Sequence, residues 1–352
     1  EIDEAEAKKL LDTAYLAGVN YFDTAWVYHN GKSEDFTGRA LDAYPRDTYR
    51  IATKLPCWEV QTLEDAKRIF EQQLVNLRKD YIDFYLLHSL DITSWRHMCD
   101  LGVISYCESL QREGKIRYFG FSFHDEYASF EEIARSRHWD FLQIQLNYTD
   151  TEEQAGIRGY RLAEELGIPV IVMEPVKGGN LASYPADIDS ILKEIRPELS
   201  TASWALRWVA ELPNVLTVLS GMSTMEQVRD NLSTMTDCEP LRKEEKEGLA
   251  RVVVELGQRV NNGCTGCRYC MPCPFGVDIP ANFHIWNLFG IFRNPGNVRW
   301  DWGIQIKESE KARNCIECGK CEELCPQNLS IREDLKKVQR ELDEVLAGTN
   351  AQ

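Results

Sequence analysis

The chain has 352 residues and a formal net charge of −16, a length that suits one large domain with a smaller one appended. The acidic balance argues against binding to nucleic acid or to an anionic membrane. No apolar run approaches the ~18 residues of a spanning helix, and no secretory signal opens the chain. The sequence begins at Glu1 without methionine, so we expect the native N-terminus to lie upstream.

Apolar strands and amphipathic helices alternate along the first two thirds of the chain. A first helix is predicted from Asp3 to Gly18, where a glycine provides the stop. The strands that follow are predicted over Asn20 to Ala25, Tyr49 to Leu55, Ile82 to His88, Ile116 to Phe123, Phe141 to Tyr148, Pro169 to Pro175 and Val215 to Gly221. The intervening helices are predicted over Ser33 to Ala43, Leu63 to Leu77, Ile104 to Glu113, Tyr127 to Ser136, Arg158 to Leu166, Ser200 to Glu211 and Met225 to Met235.

This alternation is typical of parallel strands joined by crossover helices. The pattern contains seven strands, and the first predicted helix has no strand before it. Restoring that strand gives eight β/α units, the number that closes a TIM barrel. We therefore expect an α/β fold in which residues 1–240 form a (β/α)8 barrel with its first strand missing from the chain. A doubly wound open sheet is the alternative, which the lack of G-x-G-x-x-G after an early strand weakens.

Polar residues occur at the ends of three neighbouring predicted strands, where the active sites of barrels lie. Asp23 ends one strand, with Tyr28 just beyond it, while Lys54 and His88 end the next two. Singly, each has an ordinary reading, since a lysine or aspartate there is usually a solvated loop charge and a histidine can be a hydrogen-bonded core residue. Four in register on neighbouring strands favour a catalytic site.

The chemistry of these four residue types is that of a tuned proton donor. A tyrosine hydroxyl has a pKa near ~10, and an ammonium within ~4–6 Å lowers that pKa. An aspartate paired with the lysine holds its charge in place, and a histidine can orient a carbonyl oxygen. The set predicts Tyr28 as an acid aimed at a substrate oxygen that becomes negative when hydride arrives.

Eight of the twelve cysteines lie in two runs, each followed by proline. The runs are Cys264, Cys267, Cys270 and Cys273, and Cys315, Cys318, Cys321 and Cys325. The second run matches the bacterial ferredoxin spacing C-x2-C-x2-C-x3-C-P, and the first is one residue shorter before its fourth cysteine. In that pattern three cysteines of one run and the last of the other hold each [4Fe–4S] cluster, so we expect two clusters. A pair of structural zinc sites is the alternative, although it needs only C-x2-C pairs.

The spacing of the other four cysteines predicts no disulfide pairs. Free thiols together with oxygen-sensitive clusters imply a reducing compartment such as the cytoplasm. Residues 241–262 are predicted to hold a linking helix, Lys243 to Val260, and residues 263–352 a ferredoxin-like module. Most aromatic residues between the cysteine runs are expected to pack this module against the barrel, since clusters need a dry shell. The tail from Ile331 to Leu346 is predicted to be a charged amphipathic helix forming a solvated lid. The unassigned cysteines are Cys57, Cys99, Cys107 and Cys238, and the aromatic residues are Phe283, Trp286, Phe289, Phe292, Trp300 and Trp302.

Three segments resemble the aldo/keto reductases in family order: YFDTAWVY (Tyr21 to Tyr28), IATKLP (Ile51 to Pro56) and DFYLLH (Asp83 to His88). The resemblance implies NAD(P)H-dependent reduction of a small-molecule carbonyl, with Tyr28 as general acid. It makes Lys54 and Asp23 the activators and His88 the residue that positions substrate. With the runs CTGCRYCMPCP and CIECGKCEELCP, the chain is similar to the ferredoxin-tailed bacterial and archaeal subfamily.

The same resemblance implies a set of cofactor-binding positions. Those expected near the nicotinamide and pyrophosphate are Ser122, Gln145, Asn147, Glu174, Gly178 and Gly179, and those near the adenine are Gly221, Ser223, Gln227, Asp230 and Asn231. Phe123 stands where the family usually has asparagine, Met173 where it has a stacking aromatic residue, and Gln227 where an arginine often grips the 2′-phosphate. The choice between NADH and NADPH therefore stays open. So does a second function, an electron-transfer or docking protein on a barrel scaffold without nicotinamide chemistry. The clusters are expected either to serve an external one-electron partner or to brace the active-site loops.

Overall fold

The computed structural model describes residues 2–236 and 238–349, which divide into two compact units. The first unit holds residues up to 182 together with 202–241, and the second holds 183–201 and the residues from 242 onward. The stretch 183–201 lies within the expected barrel region yet belongs to the second unit. One reason is that Gly248 has no side chain, so Ile195 approaches its backbone closely.

Seven strands form one sheet in chain order, and every neighbouring pair is parallel. The strands are β1 (Tyr21–Asp23), β2 (Arg50–Pro56), β3 (Ile82–Leu90), β4 (Ile116–Phe123), β5 (Phe141–Gln145), β6 (Val170–Met173) and β7 (Val215–Val218). The central strands are buried along most of their length, as expected for a parallel sheet covered by helices.

Helices follow or separate the strands, and further helices build the second unit. Those carried mainly by the first unit are α1 (Glu4–Leu16), α2 (Ser33–Leu41), α3 (Leu63–Leu77), α4 (Ile92–Asp100), α5 (Val103–Arg112), α6 (Tyr127–Arg135), α7 (Gly156–Glu165), α9 (Thr201–Ala210) and α10 (Met225–Thr236). Those of the second unit are α8 (Ala186–Lys193), α11 (Lys243–Gly257), α12 (Ile279–Phe292), α13 (Pro295–Asn297), α14 (Lys320–Glu323) and α15 (Ile331–Thr349). None of the described helices has both the length and the apolar character needed to cross a membrane.

The sheet of the first unit is curled around a small apolar interior. Phe84, Phe141 and Ile171 form part of this inner cluster, and Tyr21 from β1 and Leu219 beyond β7 both pack against it. Since β1 and β7 are the two edges of the sheet, contact with one cluster requires the sheet to curve. A larger core fills the space between the sheet and its helices.

Barrel closure is where the structure and the expected eight-stranded fold differ. Among the described residues, β1 and β7 do not pair, so the ladder stays open between the two edges. The helical layer does continue there, because α1 packs against α10 and α2. The strand expected before α1 stays a prediction.

The second unit has a core of its own. The aromatic side chains of Phe283, Trp286 and Trp302 lie in it, together with Val338 and Leu342 of α15. The predicted solvated lid is therefore wrong, because one face of α15 is buried in this core. Phe283, Trp286 and Trp302, which were expected to pack the module against the barrel, lie in this core and bury the apolar face of the terminal helix.

Candidate active site and cysteine loops

Lys54 and Asp23 form a buried ion pair at the ends of two paired strands. Lys54 is fully buried, and its Nζ donates to Oδ1 of Asp23 at 2.6 Å and to the carbonyl oxygen of Thr24 at 2.8 Å. Burial raises the pKa of Asp23, although the ammonium of Lys54 opposes that rise. A buried charge of this kind is stable only with its partner in place, so the pair fixes the position of the ammonium.

Tyr28 stands directly over this ammonium. Lys54 Nζ lies 4.9 Å from the centroid of the tyrosine ring, and the tyrosine is 38% exposed. The next three residues, His29, Asn30 and Gly31, have φ of 51°, 55° and 79°, a left-handed run that few residues adopt without strain. This turn brings the chain back to α2, where Ser33 N donates to the carbonyl oxygen of Tyr28.

His88 completes the group of four predicted catalytic residues. Its ring lies 5.9 Å from the ring of Tyr28 and 5.1 Å from that of Trp58, measured between centroids. Burial, aided by the charge of Lys54, lowers the pKa of His88 to about 3, so the imidazole is neutral at physiological pH. Its Nδ1 is buried and has no hydrogen-bond partner among the described residues.

A buried polar network supports the backbone of Lys54 from behind. Glu34 is fully buried, and its carboxylate accepts from Thr53 Oγ1 at 2.6 Å and from Gln73 Nε2 at 2.8 Å. The same Gln73 amide donates to the carbonyl oxygen of Lys54 at 3.0 Å, and Asn76 donates to the other oxygen of Glu34 at 3.0 Å. No lysine or arginine lies within salt-bridge distance of Glu34 among the described residues, so hydrogen bonds alone satisfy its carboxylate.

Two of the residues predicted to bind nicotinamide are already engaged within the protein. Asn147 is fully buried, donates to Asp150 at 3.1 Å, and accepts from Thr149 N and Asp150 N. Gln145 donates to Asp150 at 3.4 Å and accepts from Gln154. Asp150 is in turn held by Lys177 at 2.5 Å. These contacts leave both predicted amides little capacity for a ligand.

Gln143 is a candidate that the sequence reasoning missed. It pairs with Ser122 in the register of β4 and β5 and is 2% exposed. Its Oε1 has no hydrogen-bond partner among the described residues, and its Nε2 reaches only the sulfur of Met173 at 3.5 Å. Ser122 Oγ accepts from Ser89 N at 2.8 Å, so its hydroxyl proton is available. A buried side-chain amide without well-placed hydrogen-bond partners lowers the stability of the folded protein unless a ligand supplies those partners.

The remaining cofactor positions lie in two loop regions. Glu174, Gly178 and Gly179 follow β6 with φ of 53°, 59° and 95°, a conformation that suits a tight loop. Gln227 accepts from Ser223 N and Thr224 N, so it caps the start of α10. The same region contains Gly221, where an added Cβ atom would meet no described atom within 4 Å, and Asp230 and Asn231 on α10.

The cysteine runs line two neighbouring cavities in the second unit, and each cavity draws on both runs. Three cysteines of one run and the fourth of the other line each cavity, and Cys270 touches both. The first cavity is lined by Cys264, Cys267, Cys270 and Cys325, and the second by Cys273, Cys315, Cys318 and Cys321. This is the crosswise grouping that the ferredoxin spacing predicts.

The donor set of these cavities suits clusters. Neither lining contains histidine or a carboxylate, and apolar residues such as Ile279 and Val277 complete the walls. Among the described residues no group of three or more His, Cys, Asp or Glu side chains is close enough to hold a single metal ion. Four thiols around a wider apolar cavity fit an inorganic core whose irons are each bound by one cysteine.

The motifs of the first unit have counterparts in known proteins. Residues 1–252 match the aldo/keto reductase family, which is well over half of the chain. The chain belongs to the aldo/keto reductase family. In this reductase, residues 263–329 match the 4Fe-4S dicluster domain, so an iron–sulfur domain is appended to an oxidoreductase.

Individual relatives resemble the reductase over most of their length. The Bacillus subtilis protein named uncharacterized oxidoreductase YqkF is 27% identical, over 70% of this chain and 87% of that protein. The NADH-specific methylglyoxal reductase of Escherichia coli is 25% identical, over 63% of this chain and 80% of that protein. The holo form of aldo-keto reductase AKR11C1 from Bacillus halodurans has a TM-score of 0.61 and 27% identity, covering 72% of this chain and 88% of that one.

Proposed function

We propose that this enzyme reduces an aldehyde or ketone to an alcohol with NAD(P)H, using Tyr28 as the general acid. The observation that carries the proposal is the ammonium of Lys54, fixed by Asp23 at 2.6 Å and 4.9 Å from the Tyr28 ring centroid. With this positive charge beside its ring, Tyr28 is the candidate proton donor to a substrate oxygen that gains negative charge.

His88 has the properties of a positioning group for the carbonyl. Because its pKa is lowered to about 3, the ring stays neutral and does not compete with Tyr28 as the proton source. A neutral imidazole can still donate one hydrogen bond to a carbonyl oxygen. The exposed Trp58 beside it can cover one face of the substrate.

The residues near Ser122 suit the carboxamide of a nicotinamide. They are not all the residues that the sequence resemblance implied. We infer that Ser122 and Gln143 hold the carboxamide, because Gln143 has an unpartnered buried acceptor, whereas Gln145 and Asn147 are bound to Asp150. A bound nicotinamide would supply the hydride. The names of the Escherichia coli relative and of a Klebsiella pneumoniae aldo-keto reductase in complex with NADPH, the latter 24% identical, support a nicotinamide in this fold.

We propose that the cysteine cavities hold two [4Fe–4S] clusters, with Cys264, Cys267 and Cys270 joined by Cys325, and Cys315, Cys318 and Cys321 joined by Cys273. The crosswise lining of the two cavities supports this assignment. Such clusters exchange single electrons with a redox partner and persist in reducing surroundings such as the cytoplasm.

An electron-transfer protein on a barrel scaffold is the second candidate. The engagement of Gln145 and Asn147 by Asp150 and Lys177 favours it, because a lost nicotinamide site would be filled by such contacts. The assembled set of Asp23, Lys54, Tyr28 and His88 favours the enzyme.

The two candidates are separated by binding and turnover measured on one preparation. The wild-type protein is titrated anaerobically with NADH and NADPH, followed by nucleotide fluorescence, and then assayed with methylglyoxal and benzaldehyde. We expect Tyr28→Phe to bind nucleotide normally and to lose about 10²- to 10⁴-fold in turnover. Tyr118→Phe, which alters a 45% exposed tyrosine near the start of β4, should keep full activity. Wild-type protein that binds neither nucleotide would favour the scaffold.

A further inference from the structure

The second cysteine cavity has a rim unlike that of the first. Phe275, Ile316 and Leu324 line it and are 46%, 58% and 59% exposed, and Cys318, one of its cysteines, is exposed as well. Lys320 and Arg332 also line the second cavity, whereas Thr265, Arg268 and Gln327 line the first, which has an exposed cysteine of its own in Cys267. Exposed apolar side chains are ordinary when scattered, but a group around one site marks an interaction surface.

The charges beside this apolar rim are largely neutralised within the protein. Arg332 lies 2.7 Å from Glu322, and Lys336 lies 2.8 Å from Glu317. Lys320 and Glu323 are opposite charges on the short helix α14. Residues 242–352 contain as many Lys and Arg as Asp and Glu, so the net charge of −16 resides in residues 1–241. Residues 242–352, which hold the rim, therefore contribute no net charge of their own with which to steer a charged partner.

We propose that the rim of Phe275, Ile316 and Leu324 is the docking surface for a one-electron carrier protein that presents an uncharged apolar patch around its own redox centre. The inference rests on the proposed function, since it requires a cluster bound by Cys273, Cys315, Cys318 and Cys321. Cys318 is exposed and lines the same cavity as the three apolar residues, so a cluster bound there would lie close to the surface that the carrier contacts. A strongly acidic or basic carrier finds no complementary charge there.

The transfer itself moves only an electron. A reduced cluster held by Cys273, Cys315, Cys318 and Cys321 would give one electron to the oxidised carrier, so that the cluster would be oxidised and the carrier reduced by one electron each. No proton moves, and no covalent bond forms or breaks. Because docking is apolar, its rate should depend on the shape and hydrophobicity of the rim and little on ionic strength.

Oxidised azurin, a copper protein with an apolar patch over its metal, is a suitable probe, and basic cytochrome c is the charged comparison. The full-length protein is reduced anaerobically, freed of reductant and mixed with each acceptor in a stopped-flow instrument. We expect Ile316→Ser and Leu324→Ser to lower the second-order rate constant with azurin about tenfold, as the loss of one apolar anchor predicts. Raising the NaCl concentration from about 50 to 500 mM should change the wild-type rate less than about threefold, since exposed charges are screened over this range.

Ile304→Ser is the matched control, because Ile304 is 62% exposed in the same unit and lines neither cavity. Hexacyanoferrate(III), which needs no docking surface, should oxidise all variants at the wild-type rate and so reports any change in the cluster itself. Equal losses with azurin in Ile304→Ser and Ile316→Ser would overturn the proposal. So would faster, strongly salt-dependent transfer to cytochrome c. Protein without iron and sulfide would defeat the cluster assignment as well, whereas iron-replete protein with equal losses defeats only the docking surface.

Discussion

Lys54 Nζ lies 2.6 Å from Oδ1 of Asp23, and the lysine side chain has no exposed surface. Desolvation makes an isolated buried charge costly, so this contact keeps the ammonium in place beneath Tyr28. The relationship links the stability of the first unit to its chemistry. The same contact that compensates the buried charge also sets the electrostatic environment of the tyrosine hydroxyl.

Removal of the Asp23 charge should therefore destabilise the protein strongly. We expect Asp23→Asn to lower the free energy of unfolding by roughly 3–5 kcal/mol, the cost of leaving a buried charge unpaired. Urea denaturation measures this change. The double variant Asp23→Asn with Lys54→Met should recover most of the loss, because neither charge then remains. Glu6→Gln, which breaks the exposed pair with Lys9 at 3.2 Å, should cost less than about 1 kcal/mol.

His88 should make stability depend on acid. Its pKa is about 3 in the folded protein and about 6.5 in the unfolded chain, so between pH 6.5 and pH 3 mainly the unfolded state binds the proton. The stabilisation is complete above pH 6.5 and is lost as the pH falls from 6.5 towards 3. Between pH 7 and 5 the wild type should lose about 2 kcal/mol more than His88→Asn.

The measurement is a urea denaturation series at both pH values. His138→Asn provides the control, since His138 is exposed and should leave the acid dependence of the wild type unchanged. If His88→Asn loses as much stability between pH 7 and 5 as the wild type, His88 is not held neutral by its burial.

The network behind Lys54 should contribute to stability independently of catalysis. Glu34→Ala leaves the hydroxyl of Thr53 and the amides of Gln73 and Asn76 without their shared acceptor. Unsatisfied buried donors cost about 1–3 kcal/mol each, so we expect a loss of roughly 3 kcal/mol or more in the free energy of unfolding. Glu64→Ala, at a 78% exposed side chain, should change stability by less than about 0.5 kcal/mol. A small loss in Glu34→Ala would show that water replaces the carboxylate.

Most strands and helices were predictable because their local signals agree with their packing. The helix Leu63–Leu77 was predicted with its observed bounds, and Thr62 and Asp65 form a capping box at its start. The helix α4 was missed although Asp91 and Ser94 form the same kind of box, because it follows β3 without a turn. Helix α12 was missed for a different reason. Its own apolar residues lie on all sides of the helix, so its sequence lacks the one-sided apolar pattern that marks an amphipathic helix.

The choice among glutamines at the candidate nicotinamide site lay beyond the sequence. Gln143 and Gln145 are two positions apart on β5, so their side chains point to the same face of the sheet. The two glutamines differ in that Gln145 forms hydrogen bonds with Asp150 and Gln154. Both partners lie in the loop after β5, and the sequence pattern of a loop does not predict its conformation. The tail helix was misjudged similarly, because a charged amphipathic pattern does not reveal what covers its apolar face.

The crosswise cluster assignment predicts which cysteine substitutions resemble one another. Cys325→Ser and Cys264→Ser should both lose about half of the iron, near eight atoms per chain in the wild type, and retain the same residual cluster. Cys273→Ser and Cys315→Ser should retain the other one. Iron and sulfide analysis with electron paramagnetic resonance on anaerobic samples distinguishes the two residual spectra. Cys99→Ser, at an exposed cysteine outside both cavities, should keep all of the iron. A shared spectrum for Cys325→Ser and Cys315→Ser would show that each run closes its own cluster.

Substitution of the two glutamines tests which one meets the nicotinamide. Gln143→Leu removes a buried acceptor that has no partner in the described residues, so we expect NADH or NADPH to bind about tenfold more weakly, the effect of one lost hydrogen bond of moderate strength. Gln145→Leu removes contacts with Asp150 and Gln154 and should alter nucleotide affinity less than about threefold, while lowering the free energy of unfolding. Fluorescence titration gives the affinity, and urea denaturation of the same samples gives the stability. If only Gln145→Leu lowers the nucleotide affinity, the carboxamide binds to Gln145, as the sequence implied. The contacts of Gln145 with Asp150 would then have to open when the nucleotide binds.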